Sequence, residues 1–210
     1  MLLKGDFLAE RLETPRGGKP GPLVITPSPD VKNVRDSGSA SIDLRLGCWF
    51  LAFRQSRVPI LDVYARDEES VPKEPRLAKK HYVAFGDRYI VQPRAFVLGT
   101  TLEWVKLPGD MGAYVVGKSS WGRHGLIIAT ATGVHPGFSG CLTLEISNVG
   151  EVPIAIWPGT QICQIFFHTV DTKSPEKADQ SDFIGMRKPT VSAITLQKDP
   201  FARALIGKRL

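Results

Sequence analysis

Apolar residues in this chain come in short runs, and the clearest runs alternate with polar ones. In SIDLRL, 41–46, the two kinds take turns, which predicts a strand with one buried face. CLTLEIS, 141–147, does the same: Leu142, Leu144 and Ile146 fall on one face, and Thr143, Glu145 and Ser147 on the other. Further strands are predicted at LVIT (23–26), 58–64, 89–107 with a break at Pro93, AYVVGK, LIIATAT (126–132), PIAIW (153–157) and TQICQIFFH (160–168). LPGD, HPGFSG, NVGEV and WPGT separate them as turns. Helices are expected only at DFLAERLE, 6–13, and after Asp199-Pro200, over 199–210. The rest of 14–40 reads as loop, 66–80 as a charged loop, and 171–190 as a polar, mobile arm.

Many short strands and few helices predict an all-β barrel or sandwich. The 20 glycines and 16 prolines fit that reading, because they punctuate short strands more readily than long helices. A length of 210 residues with 42% hydrophobic residues suits one core with attachments. We divide it into a barrel with an N-terminal helix and loop, 1–170, and an arm with a short helix, 171–210. The net charge of +6 suits a nucleic acid, an anionic membrane surface or a small polyphosphate. It is not blocky; its densest points are Lys79-Lys80 and Lys208-Arg209. Neither an RNA-binding signature nor a basic helix with interleaved aromatics occurs, so no nucleic-acid partner is expected. No apolar stretch reaches membrane-span length and charges come early, so no membrane partner is expected and the location expected is the cytoplasm. Cys48, Cys141 and Cys163, odd in number and set in apolar runs, read as free buried thiols.

One stretch carries candidate chemistry. GAYVVGKSSWGRHG, 112–125, matches the phosphate-loop template G-x-x-x-x-G-K-[ST] at Gly112, Gly117, Lys118 and Ser119. That device needs a wrapping loop and then a helix. Here Ala-Tyr-Val-Val between the glycines reads as strand, and two glycines follow where the helix should start. What survives is a compact anion-binding set: Lys118, Ser119, Ser120 and Arg123.

KSSWGRHGL, VHPGFSGCLTLEISN and PGTQICQIFF, in this order, resemble the deoxycytidine triphosphate deaminase branch of the trimeric dUTPase-like superfamily. The likeness runs from GSASIDLRLG, 38–47, through YIVQPRAFVLGTTLEWVKLP, 89–108, to about residue 168. It implies a distorted antiparallel β-barrel of the dUTPase-like, jelly-roll type, a homotrimer, sites between subunits and C-terminal arms closing over them. Lys118-Ser119-Ser120 with Arg123 is similar to the deaminase pattern R-S-S-x-x-R, with Lys in first place, and Glu145 matches the catalytic glutamate.

The resemblance implies hydrolytic deamination of dCTP to dUTP and ammonia, in the supply of dTTP precursors. The alternatives are a bifunctional enzyme releasing dUMP and pyrophosphate, or a nucleotide-binding relative without chemistry. The zinc-deaminase signature H-x-E with P-C-x-x-C is missing, so the chemical step is expected to use no zinc. Glu145 is expected to take the proton from water and pass it toward N3 and then the leaving amine. Ser119 and Arg123 are expected to orient the water and steady charge. Lys118, Ser120 and nearby backbone N–H groups are expected to hold phosphates, with Mg²⁺ on the triphosphate. Trp121, Gly122, His135, Thr143, Leu144, Phe183, Met186 and Arg187 complete the implied binding set. The chain departs from the family at His135, where Asp is common, at Gly133, where Arg is common, and in the arm SDFIGMRKPT, 181–190. There Asp182, Phe183 and Met186 stand for Lys, Tyr and Gln, while Arg187 and Pro189 remain.

Overall fold

The computed structural model describes residues 1–15, 17–18, 21–53, 78–129, 133–171 and 184–191. Antiparallel strands dominate it. In chain order they are β1 (Val24–Thr26), β2 (Ser41–Phe53), β3 (Ala78–Tyr82), β4 (Tyr89–Val91), β5 (Phe96–Lys106), β6 (Met111–Gly117), β7 (Leu126–Ile128), β8 (Gly133–Val134), β9 (Ser139–Asn148), β10 (Ile154–Ile156) and β11 (Gln161–Thr169). Helices α1 (Gly5–Glu13) and α2 (Val31–Asp36) precede the long strands, and a single turn, α3 (Ser119–Gly122), follows β6. Nine strands form one sheet along the path β7-β9-β5-β2-β11-β6-β8, with β1 on β5 and β3 on β2; β10 and β4 pair separately.

The sheet curls around one core. Leu44 and Leu46 of β2, Leu144 and Ile146 of β9, and Ile162, Ile165 and Phe167 of β11 are all fully buried. Each such side chain stabilises the fold by roughly 1.5–3 kcal/mol when taken out of water. Leu8 of α1 joins the same cluster, and Leu3 N–H bonds to Phe167 O, so the N-terminal segment lies along β11. The long β2 serves both halves of the sheet: its start pairs with β11 and its end with β5 and β3. Register slips between Leu46 and Phe50, at the point of change. Gly47 permits that close approach, since a Cβ there would sit 2.9 Å from both Thr100 Oγ1 and Thr101 O.

The predicted period-two strands are present, and SIDLRL extends to Phe53. Four expectations need correction. Within 14–40 there is a helix, α2, capped by Asp30 Oδ1 accepting from Asn33 N–H at 3.1 Å. Lys79-Lys80 lies in strand β3 rather than in a loop, because the free edge of β2 pairs its backbone. A helical turn does begin at Ser119, although it lasts four residues. Only Cys163 of the three free cysteines is fully buried, because Cys141 falls on the outward register of β9 and Cys48 is half-buried. Burial pushes the Cys163 thiol up to about 12, helped by the nearby charges of Glu103 and Asp43. The predicted strand at 58–64 and helix at 199–210 lie outside the described residues.

Candidate active site

β6 ends at Gly117, and the cationic turn starts at once. Lys118 N–H bonds to Ile162 O at 3.1 Å, fastening the turn to β11. Lys118 O then accepts from Trp121 N–H and Gly122 N–H, and Ser119 O accepts from Arg123 N–H. Gly125 lets the chain leave: its φ is +87°, and a Cβ there would meet Gly150 N at 3.1 Å. No wrapping loop is formed, since residues 113–116 are extended strand within an antiparallel sheet. The phosphate-loop match is therefore one of letters only.

Within this turn the side chains divide into two groups. Lys118 Nζ donates to Asp43 Oδ2 at 2.6 Å and to Gln161 Oε1 at 3.4 Å. Trp121 Nε1–H donates to Gln161 O at 2.9 Å, and its ring packs against the core. These two are anchors. Ser119, Ser120 and Arg123 are exposed, and among the described residues their side chains have no hydrogen-bond or ion-pair partner. Ser120 O meets His124 Nδ1 at 2.8 Å. Gly122 faces open space.

Glu145 lies on β9 with Thr143, on the face turned away from the core, as the alternation predicts. Its strand partner is Leu98, and Thr143 is opposite Thr100. Among the described residues its carboxylate has no intrachain partner either. Its main-chain carbonyl accepts from Ala129 N–H at 2.8 Å. Leu144 is fully buried, so its side chain packs in the core. His135 is exposed in the turn before β9, where its carbonyl accepts from Phe138 N–H.

The arm residues lie beside this strand. Gly185 N–H donates to Ser139 O at 2.7 Å, and Cys141 N–H to Met186 O at 2.8 Å, so the arm runs beside the start of β9, on the stretch of edge that β7 leaves uncovered. Arg187 then crosses the Trp104 ring, 5.2 Å from its centroid, and Lys188 Nζ lies 4.1 Å from that of Trp49. Burial raises the Cys141 thiol, and the Arg187 charge opposes that rise. Phe183 and Asp182 lie outside the described residues. The arm is thus docked beside Ser139 and Cys141, and Thr143 and Glu145 follow two and four residues after Cys141 on the same strand.

Within one chain the arm lies beside the strand that carries Glu145, but no hydrogen bond or ion pair joins Glu145 to Ser119, Ser120 or Arg123 among the described residues. Sequence reasoning missed the residues that hold the turn: Asp43, Gln161 and Gln164. It also missed Glu103, which is buried and receives Arg45 N–H at 2.8 Å and Arg45 Nε–H at 2.6 Å. These groups border a cavity of about 410 Å³ between β2, β11 and the loop before α2. The polar face of SIDLRL, Ser41-Asp43-Arg45, was the available signal.

A curled antiparallel sheet with a cationic turn at one end and, on its outer face, a carboxylate that has no partner among the described residues defines a mostly-β protein of a known kind. The solved 2'-deoxycytidine 5'-triphosphate deaminase of Agrobacterium tumefaciens has a similar fold: TM-score 0.54 and 27% identity over 79% of this chain, which spans 47% of that longer one. A protein of Methanobrevibacter smithii named "dCTP deaminase, dUMP-forming" is 37% identical over 84% of this chain and 89% of its own. One of Sulfurihydrogenibium with the same name is 40% identical over 85% and 92%. The family model described as dCTP deaminase-like matches residues 3–170. The chain belongs to the dCTP deaminase-like family.

Proposed function

We propose that the protein is an enzyme that deaminates dCTP, with Glu145 as the base. The observation that carries this is the state of Glu145: a carboxylate on a rigid strand, partly shielded, with no cation or donor within the described chain to hold it. A carboxylate so placed is free to take and give a proton. Water adds to C4 of cytosine; Glu145 takes one water proton and delivers it to N3, then carries the remaining hydroxyl proton to the amine, so that the C4–N bond breaks, ammonia leaves and the C4 carbonyl forms. Ser119 and Arg123 orient the water and balance developing charge. His135 and the arm residues Met186 and Arg187 face the sugar and phosphates. Phe183 belongs to this reading too.

In this reading Mg²⁺ is carried by the triphosphate, as part of the substrate.

The names of the similar proteins favour dUMP over dUTP as the product. In that reading the same site also releases pyrophosphate. Among the described residues no hydrogen bond or ion pair joins Glu145 to the turn 119–123, which fits assembly of the site from neighbouring copies, the homotrimer that the family resemblance implies. Two experiments test these points. Pure protein is incubated with Mg²⁺–dCTP, and products are resolved by ion-exchange chromatography. Ammonia with dUMP and pyrophosphate supports the bifunctional reading, ammonia with dUTP the simple deaminase, and no ammonia rejects both. Mixing inactive Glu145→Gln and Arg123→Ala subunits under exchange conditions is expected to restore activity; continued silence would reject the shared site.

A further inference from the structure

The ammonium of Lys118 is already engaged. It lies 2.6 Å from Asp43 Oδ2, and Asp43 Oδ1 accepts from Gln164 Nε2 at 3.1 Å. The two side chains of the ion pair are 22% and 29% exposed. At the distance of a ligand the opposite charges of such a pair largely cancel. The main chain of Lys118 meanwhile holds the turn: it donates to β11 and accepts two N–H groups of α3. Arg123, the other cation of the turn, has no intrachain acceptor among the described residues.

We propose that Lys118 and Asp43 are positioning residues: their ion pair ties the start of the turn 119–123 to β2 and so aims Ser119 and Arg123, while Arg123 supplies the charge that meets the substrate anion. The proposal rests on the dCTP deaminase reading. It gives Lys118 a role unlike that of a phosphate ligand. It also accounts for the tolerance of Lys where the family pattern has Arg, because a guanidinium reaches the same carboxylate with two N–H groups.

The test compares Lys118→Met, Asp43→Asn, the double variant and Lys118→Arg. Glu13→Gln, which breaks the exposed pair with Arg35, serves as control. Amide exchange of the peptide 118–125 is expected to speed up about tenfold or more in each single variant, with peptides from β5 unmoved. kcat on Mg²⁺–dCTP is expected to fall roughly 10- to 100-fold, the loss seen for small misplacement of reacting groups. The double variant should lose no more than either single one, because the two residues act as one unit. Binding of Mg²⁺–dCTP, measured in the Glu145→Gln background, should change less than about threefold, and Lys118→Arg should restore both readouts. The proposal is overturned if Lys118→Met weakens binding tenfold while Asp43→Asn leaves exchange and kcat alone, for Lys118 is then a phosphate ligand. Exchange that quickens throughout the chain with a falling Tm also overturns it. If wild type never releases ammonia, the deaminase reading falls, and exchange at 118–125 alone decides whether the tether exists.

Discussion

Thr-Leu-Glu occurs twice in this chain, at 101–103 in β5 and at 143–145 in β9, and the two copies meet opposite fates. In the first, Thr101 and Glu103 point inward and are buried. In the second, Leu144 points inward, and Thr143 and Glu145 face out. Glu103 is then fully partnered by the main chain and guanidinium of Arg45, and Thr101 Oγ1–H closes onto Glu103 O. Glu145 is left without a partner among the described residues. The difference is one of phase. A period-two strand gives a carboxylate one of two environments, and the residues beside it in sequence do not say which. A buried carboxylate must be paired to be tolerated. One on the outer face need not be, and that makes it available for chemistry.

Removing the carboxylate at each site puts the contrast to a test, and the larger effect is expected at Glu145. Glu145→Gln should lower kcat by about 10²–10⁴-fold, the usual share of a general base, with Tm nearly unchanged. Unimpaired turnover would remove Glu145 from the chemistry and dissolve the contrast. Glu103→Ala should do the reverse. It strands Arg45 and one main-chain N–H, at a cost of roughly 2–3 kcal/mol given the partial exposure of Arg45. For a chain of this size that lowers Tm by about 4–12 °C. Turnover per folded molecule should stay within about threefold of wild type on the same argument. A selective loss of kcat with full stability would mean that Glu103 also serves the reaction.

The phase of Glu145 was readable because apolar residues on either side of it are regular. Leu142, Leu144 and Ile146 fix the inner face, and the resemblance then gave Glu145 a role. Glu103 was unreadable for the converse reason: register slips between Thr100 and Trp104, and the flanking residues of both phases are covered. β3 was hidden because AKKHY buries only Ala78 fully and owes its form to the edge of β2. The helix α2 buries no residue, so no apolar stripe announced it. The tether Lys118–Asp43 joins positions 75 residues apart, and local pattern carries no information on such a pair.

Asp110 offers the smallest and most specific test, as a paired carboxylate outside the sheet's faces. Arg11 of α1 clasps it with both Nη groups, at 2.7 and 3.0 Å, and the two side chains are 13% and 28% exposed. Those hydrogen bonds hold the Asp110 carboxyl below its ordinary range, against the opposing effect of burial. A group whose folded pKa is depressed adds stability above its unfolded pKa, and loses it as pH falls through the folded value. Asp110→Asn should therefore cost about 1 kcal/mol from pH 7 down to about pH 5. The gap to wild type should narrow below about pH 4, where the unfolded aspartate begins to take up its proton. Urea unfolding of both proteins across that range measures it. A gap that held constant into acid would mean that the clasp works through shape alone, since only charge makes pairing depend on the proton. A gap that closed would show that pairing a carboxylate stabilises this fold, which is the contribution Glu145 forgoes, having no partner among the described residues.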